Sequence, residues 1–273
     1  MWENEESVLG GNTMTGKKRC SLLPLAVVLG LLLASCVSGC SPQSGNVSEK
    51  VYVVGTDAAY PPFESAEGDR FAGFDIDVMN EVAKAAGFQV EWKNTGWPPL
   101  IADLDAGKVD IGMSAISITD KRREAFDFSD PYFDLNQLIL VAEDSPISKL
   151  ADLQGKQIGV QAMTTGEDIA KKAFGYSYAG IKSYKEMPSA VNDFLSGRLD
   201  AVIGDNGGII YYATKIKDKK FKLIKDEAFP KESYGIMVKK GNLALVKKIN
   251  QGLHTIKTNG TLQKIYDRYF QQQ

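Results

Sequence analysis

The chain has 273 residues, of which 44% are hydrophobic and 24% are charged, and its formal net charge is −2. These values are typical of an ordinary globular protein with one large domain or two medium ones. Since there is no basic excess for nucleic acid and no acidic excess for disorder, the composition indicates no polyelectrolyte partner.

Residues 1–50 are predicted to be a leader, a lipobox and a tether. The basic head at residues 14–19 is followed by an apolar run at residues 22–33, which is too short for a comfortable membrane-spanning helix and is typical of a signal peptide. We expect translation to start at Met14, because residues 1–12 place three glutamates ahead of a head that should be positive.

All three cysteines, Cys20, Cys36 and Cys40, lie in this leader, so we expect no internal disulfide and no thiolate metal site in the rest of the chain. The sequences LASC and VSGC, which end at Cys36 and Cys40, both resemble the lipobox where a bacterial lipoprotein is cleaved and acylated. The leucine of the first favours Cys36, whereas the glycine of the second and the polar stretch at residues 41–50 favour Cys40. We expect a lipid anchor at Cys36, with Cys40 and a plain secretory peptide as the alternatives.

After the leader, short apolar runs alternate with amphipathic helical patterns, which predicts α/β layers with largely parallel strands. The first half is expected to contain strands at residues 51–55, 88–92 and 109–115. A helix with an apolar stripe over residues 76–86 separates the first two strands, and a helix opened by Pro98 or Pro99 separates the last two.

A second, similar series begins after Pro146. It is predicted to contain a strand near residues 157–160, a helix opened by Thr164 with Glu167 in capping-box spacing, a helix around residues 190–195 and a strand at residues 199–204. The turn GKVDI at residues 107–111 is echoed by GRLDA at residues 197–201. This echo indicates two related lobes.

Two further helices are predicted near the C-terminus, at residues 243–256 and 262–269. Extended apolar segments near residues 140–143 and 234–237 are predicted to cross between the lobes as hinges. The predicted boundaries are residues 51–140 and 238–273 for lobe 1, and residues 141–237 for lobe 2.

The sequence lacks the common catalytic motifs. Its single histidine, His254, lies on a predicted amphipathic helix, and there is no HExxH, GxSxG, P-loop or GxGxxG pattern. We therefore expect no enzyme activity, no cofactor and no metal site, although carboxylate chemistry stays open.

Four segments carry the informative chemistry: residues 55–64 (GTDAAYPPFE), 73–77 (GFDID), 114–122 (SAISITDKR) and 127–133 (DFSDPYF). In this order they resemble the family-3 extracellular solute-binding proteins, the polar amino-acid receptors of bacterial ABC importers, over about residues 51–270. The resemblance is nearest to binders of arginine, lysine/ornithine, histidine and glutamine. It implies a type II periplasmic-binding-protein fold whose two lobes close on the ligand, and a monomer that delivers its ligand to an ABC transporter permease.

A buried amino-acid zwitterion needs a fixed cation for its carboxylate and a fixed anion for its ammonium, because unpaired buried charge is costly. Arg122 is expected to supply the cation at the end of a strand, with Ser117 adding a hydroxyl and an N–H. By the resemblance, Thr165 adds another N–H at the start of a helix, and Asp205 binds the ammonium. The matched set also contains Ser114 and Ala115.

The pocket for the ligand side chain is predicted from Asp57, Tyr60, Trp97 and Gln161. By the resemblance, Asp57 faces the distal group of the ligand, and Tyr60 and Trp97 are aromatic walls. Each ring can contribute about 0.5–2 kcal/mol by stacking on a guanidinium. Gln161 stands where glutamine-specific relatives carry a lysine. An acidic wall without a nearby cation favours arginine, with lysine, ornithine and histidine as possibilities.

Each candidate also has a purely structural explanation. Arg122 could be a solvated helix charge, and Asp205 could be a helix cap. Asp57 could be a turn residue, and Tyr60 and Trp97 could be core aromatics. The functional alternatives are a glutamine-binding protein of the same family, a periplasmic dehydratase on the same scaffold, and a sensor lobe that acts through a partner. A dehydratase needs a general acid in the cleft, and we assign all candidate carboxylates to ligand charges.

Overall fold

A computed structural model describes residues 50–217 and 219–271 of the chain. The predicted signal peptide and both lipobox cysteines, Cys36 and Cys40, lie outside the described residues. Within the two described ranges, no helix is both long and apolar enough to cross a membrane. The same ranges contain no group of three or more His, Cys, Asp or Glu side chains that could hold a metal ion.

The described residues form fifteen β-strands, eight α-helices and a 3₁₀ turn at Leu150–Leu153. The strands are β1 (Val51–Thr56), β2 (Ala59–Tyr60), β3 (Glu64–Glu67), β4 (Arg70–Ala72), β5 (Gln89–Asn94), β6 (Ile111–Gly112), β7 (Phe126–Phe128), β8 (Phe133–Leu135), β9 (Gln137–Ala142), β10 (Ile158–Gln161), β11 (Ile181–Tyr184), β12 (Ala201–Asp205), β13 (Phe221–Ile224), β14 (Glu232–Tyr234) and β15 (Met237–Lys239). The helices are α1 (Phe74–Ala86), α2 (Trp97–Asp105), α3 (Asp120–Ala125), α4 (Thr165–Phe174), α5 (Met187–Leu195), α6 (Asn206–Lys215), α7 (Leu243–Thr258) and α8 (Thr261–Phe270).

Two five-stranded sheets form the centres of the two lobes. The first has the strand order β5-β1-β6-β15-β7, with β1 parallel to β5 and β6 and with β15 antiparallel to β6 and β7. The second has the order β11-β10-β12-β9-β13, with β10 parallel to β11 and β12 and with β9 antiparallel to β12 and β13. Each sheet therefore combines a parallel core with one strand, β15 or β9, that enters from the other lobe and runs antiparallel to both of its neighbours. The predicted two-lobed α/β architecture is confirmed.

Local sequence signals account for several helix boundaries. α1 ends at Gly87, whose φ of 67° is in the left-handed region that glycine adopts without strain. α2 has proline in its first turn, where the missing N–H has no helical partner to lose. At the start of α4, Oγ1 of Thr164 accepts a hydrogen bond from the backbone N–H of Glu167 at 3.3 Å. These three boundaries agree with the prediction.

Two short strands connect the lobes. β8 leads from β7 of the first sheet to β9 of the second, and β14 leads from β13 back to β15. The two pair antiparallel, with Phe133 opposite Tyr234. The prediction that residues 140–143 cross between the lobes is wrong, because residues 140–142 lie in β9 and pair within the second sheet. A continuous apolar run fits a buried strand as well as a crossing segment, so the pattern alone could not separate them.

The predicted lobe boundaries at residues 140 and 237 stay a prediction. Because β9 pairs only within the second sheet, we propose to move the first boundary to the short turn between β8 and β9. The second boundary also moves, because Met237, which the prediction places in lobe 2, is the first residue of β15 and pairs in the first sheet.

Aromatic rings brace the crossing strands. Phe133 of β8 and Tyr234 of β14 stack with their ring centroids 5.4 Å apart. The ring of Phe63 lies 5.1 Å from that of Phe133, and the ring of Phe270 in α8 lies 5.2 Å from the same ring. The C-terminal helix is thus tied directly to the segment that joins the lobes.

Candidate ligand-binding site

A narrow cavity of about 30 Å³ lies between the lobes, at the carboxyl ends of parallel strands. Asp57 follows β1, Ser114 follows β6, and Gln161 and Asp205 are the last residues of β10 and β12. This edge is where α/β sheets characteristically bind ligands. The structure brings together all the residues that the sequence predicted for the site. They are Asp57, Tyr60, Trp97, Ser114, Ala115, Ser117, Arg122, Gln161, Thr165 and Asp205.

Arg122 lies in the first turn of α3 and extends its guanidinium between the lobes. Nη1 donates to the carbonyl of Ser117 at 2.8 Å, and Nη2 donates to the carbonyl of Met163, in the second lobe, at 3.1 Å. The guanidinium carbon also lies 5.1 Å from the ring centroid of Trp97. Burial lowers the pKa of Arg122 from its usual value, and the charges of Asp205 and Glu232 oppose that shift. Arg122 is therefore a positioned, half-buried cation rather than a solvated helix charge.

Asp205 precedes α6, but its side chain makes no capping hydrogen bond to that helix. Instead its carboxylate accepts hydrogen bonds from the Tyr234 hydroxyl and from Nε2 of Gln137. Burial raises the pKa of Asp205 to about 6, and the two hydrogen bonds limit the rise. The helix-cap explanation for Asp205 is therefore wrong, because neutral donors hold the carboxylate beside the cavity.

Asp57 follows β1 and is 3% exposed. Its Oδ2 accepts a hydrogen bond from Nε2 of Gln161, across the cavity, at 3.1 Å. The same Nε2 donates to the carbonyl of Lys185 at 3.1 Å. Burial raises the pKa of Asp57 to about 6, the Gln161 bond lowers it, and the charge of Glu186 raises it further. Asp57 is thus a buried carboxylate whose side-chain partner across the cavity is a neutral amide.

The remaining predicted residues occupy the walls. Tyr60 and Trp97 are both buried and line the cavity. Thr164 caps α4, whereas Oγ1 of Thr165 accepts a hydrogen bond from Nε2 of Gln137 at 3.2 Å. The two threonines therefore have separate contacts, and Thr165 is the one linked to the network around Asp205.

Three ionised groups line the cavity without an ion-pair partner. Among the described residues, no salt bridge within 4 Å involves Arg122, Asp57 or Asp205. Since both raised carboxyl pKa values lie below 7, the two carboxylates are largely ionised at neutral pH. The walls therefore present one cation and two anions, which is a costly arrangement unless a ligand supplies the opposite charges.

Sequence reasoning missed four residues of the cavity wall, namely Glu64, Thr164, Met187 and Gly204. Glu64 ends the first recognised motif, so its motif position was the available signal. It is a further carboxyl group in the cleft, which corrects the expectation that every cleft carboxylate is assigned to a ligand charge. Met187 and Gly204 had no signal, because they reach the cavity only through the packing of the second lobe.

Two sheets, two crossings and a charged cavity between them define a two-lobed ligand-binding architecture. The chain belongs to the bacterial extracellular solute-binding proteins, family 3, whose family model matches residues 52–272.

Individual relatives differ in the ligands that they are named for. The chain is 35% identical to a probable histidine-binding protein of Neisseria gonorrhoeae over an alignment of 245 residues. That alignment covers 87% of this chain and 91% of that protein. It is 42% identical to the arginine-, lysine-, histidine-binding protein ArtJ of Geobacillus stearothermophilus, with a TM-score of 0.78 over 81% of this chain and 95% of that chain. An ancestral arginine-binding protein bound to glutamine is 37% identical, with a TM-score of 0.75 over 81% of this chain and 98% of that chain.

Proposed function

We propose that this chain is the solute-binding protein of an ABC importer and that it binds a basic L-amino acid, arginine ahead of lysine, ornithine and histidine. The charge balance of the cavity carries the proposal. One unpaired cation and two unpaired carboxylates complement a ligand with one carboxylate and two cationic groups. Names of similar proteins that include arginine, lysine and histidine support the same ligand class.

Each charge has a geometric reason for its role. Arg122 offers a planar fork that now donates to two backbone carbonyls, and a ligand carboxylate would be the stronger acceptor. Asp205 would receive the α-ammonium. Asp57 would receive the distal cation, which Tyr60 and Trp97 would flank with their rings.

Ligand entry requires the lobes to separate. The cavity has a volume of about 30 Å³, which is far below the roughly 300–1,000 Å³ of ordinary small-molecule pockets. Hydrogen bonds from Arg122 to Met163 and from Gln161 to Asp57 now span the cleft. We propose that these contacts break on opening and that the ligand's own contacts then favour closure, with β8 and β14 as the hinges.

Glutamine is the second candidate ligand. Nε2 of Gln161 already donates to Asp57, so a neutral amide can satisfy this carboxylate. A related ancestral protein bound to glutamine supports the same alternative.

Titration calorimetry of the ligand-free protein against the twenty amino acids tests the function. We expect the tightest binding for arginine or lysine, and recovery of the ligand chemically unchanged. Tighter binding of glutamine would replace the basic-ligand proposal, and a converted ligand would indicate a dehydratase instead.

We also propose an extracytoplasmic monomer that is lipid-anchored to the cell membrane through Cys36 or Cys40 and presents its ligand to an ABC transporter permease. The lipobox sequences support the anchor. The protein should partition with detergent, and the double substitution Cys36→Ser and Cys40→Ser should release it. Mass spectrometry of the mature N-terminus identifies the acylated cysteine, and unchanged partitioning of the double variant would refute the anchor.

A further inference from the structure

Glu64 and Asp75 form a pair of carboxyl groups directly beneath the cavity. Glu64 begins β3 and lines the cavity, whereas Asp75 lies in the first turn of α1. Both residues are 0% exposed. No lysine or arginine among the described residues forms a salt bridge with either one, so no cation compensates them.

Each carboxyl group uses one oxygen to hold the floor of the cavity. Oε1 of Glu64 accepts a hydrogen bond from Oγ of Ser114 at 2.8 Å. Oδ2 of Asp75 accepts one from the backbone N–H of Ala115 at 2.7 Å and one from the Tyr132 hydroxyl at 2.8 Å. The floor therefore rests on two neighbouring acids.

The other oxygen of each group lacks a hydrogen-bond donor. Oε2 of Glu64 and Oδ1 of Asp75 are buried, and neither accepts from any donor among the described residues. Burial and the charge of Asp75 both raise the pKa of Glu64. Two ionised carboxylates in an apolar site would repel strongly, and a proton on one of them removes that repulsion.

Hydrogen-bond valence indicates which residue carries the proton. Asp75 already accepts two hydrogen bonds, as an ionised carboxylate does, whereas Glu64 accepts one at Oε1 and has Oε2 free to donate. Burial raises the pKa of both groups. The hydrogen bonds that each group accepts therefore place the proton on Glu64.

We propose that Glu64 and Asp75 share one proton and act as a positioning pair that holds Ser114 and Ala115 in the geometry that binds the ligand. Ala115 has a φ of 47°, a left-handed conformation that is unfavourable for a residue other than glycine. Its N–H bond to Asp75 opposes that cost. Ser114 links the pair to the ligand side of the cavity, because its Oγ accepts from the backbone N–H of Asp57 at 2.9 Å.

The shared proton also sets the charge of the cavity. The titratable groups that face the pair are Asp57, Tyr60, Tyr132 and Tyr212. None of them is a cation. A neutral Glu64 leaves Asp57 as the charged group that would bind the distal end of the ligand. The identity of the ligand rests on the proposed function, whereas the Glu64–Asp75 pair does not depend on it.

Infrared spectroscopy of the ligand-free protein tests the pair independently of binding. At neutral pH, wild-type protein should show the C=O stretch of a protonated carboxylic acid, and Glu64→Gln should lose it. Glu67→Gln, at an exposed position on the same strand, is the matched control and should keep the band. Absence of the band from the wild type, or its persistence in Glu64→Gln, would overturn the proposal.

Calorimetry with arginine tests the positioning role. Glu64→Leu leaves the Ser114 hydroxyl and Oδ1 of Asp75 without partners, so affinity should fall roughly tenfold or more. Glu64→Gln offers both a carbonyl and an N–H at the same places and should recover most of that loss. Equal affinity of Glu64→Leu and the wild type would refute the role. If the wild type bound no basic amino acid while the infrared result held, the pair would stand and the proposed ligand would be wrong.

Discussion

The charged groups at the two ends of the cavity have different hydrogen-bond partners. At the Arg122 end, which comprises Arg122, Thr165 and Asp205, the charged groups are fixed by backbone carbonyls, Tyr234 and Gln137. At the Asp57 end, which comprises Asp57 and Gln161, the carboxylate meets one amide across the cavity.

This difference separates two tasks. Two hydrogen-bond partners hold each of Arg122 and Asp205, so the Arg122 end suits the carboxylate and ammonium that all α-amino acids share. The Asp57 end depends on a side-chain pair that one substitution can alter. We therefore expect changes at the Arg122 end to weaken every ligand, and changes at the Asp57 end to alter which ligand is preferred.

The largest effect is expected for Arg122→Ala. Removing the cation leaves the ligand carboxylate buried and unpaired, which should weaken arginine binding by about 2–5 kcal/mol while the protein still folds. Arg122→Lys should also bind poorly, because an ammonium cannot reproduce a bidentate fork. Calorimetry measures both. Arg123→Ala, the exposed neighbour on α3, should bind like the wild type; wild-type affinity in the Arg122 variants would contradict the assignment.

Asp205→Ala tests whether the Arg122 end drives closure. This substitution removes the second-lobe partner of the ammonium, so arginine should no longer favour the closed form. Small-angle scattering should show a smaller radius of gyration with arginine in the wild type and no such change in the variant. Compaction that persists in Asp205→Ala would show that closure depends on other contacts.

Asp57→Asn should produce a selective effect. Cationic ligands lose a charge-assisted hydrogen bond worth about 1.5–3 kcal/mol, whereas glutamine keeps a neutral one. Competition titrations should therefore show large losses for arginine and lysine and a small one for glutamine. Equal losses for all three ligands would remove Asp57 as the specificity residue, and glutamine would become the favoured ligand.

The smallest expected effect is the change of protein stability with pH. Burial raises the pKa of Asp57 and Asp205 to about 6. A raised carboxyl pKa contributes stability that is present at about pH 4 and is lost as pH rises through the raised value. The free energy of unfolding of the ligand-free protein should therefore fall between about pH 4 and 7. Thermal unfolding across this range measures it.

A cationic ligand should reverse part of that loss, because its charges lower the pKa of both Asp57 and Asp205. Arginine binding near pH 6 should then release protons, and affinity should fall as pH drops from 7 to 5. Calorimetry in buffers of different ionisation enthalpy detects the release, which Asp57→Asn should reduce. Binding enthalpies that do not depend on the buffer would contradict this linkage.

Much of the fold was predictable, because its signals are local. Helix boundaries at Gly87 and Thr164 depend on a left-handed glycine and a side-chain cap, both of which act within a few residues. The first crossing was misplaced, because β9 and a hinge segment share the same apolar pattern. Strand pairing across distant parts of the chain, not composition, assigns β9 to the second sheet.

The sequence by itself determined which residue types meet at the cavity, since motif order and the ends of parallel strands place Asp57, Arg122 and Asp205 at one edge. Only the tertiary structure decided how their charges are held. Gln161 pairs with Asp57 across the cleft, and Glu64 and Asp75 hold Ser114 and Ala115 beneath it. Those contacts connect segments far apart in the chain, and burial in the folded protein raises the pKa of the three carboxyl groups.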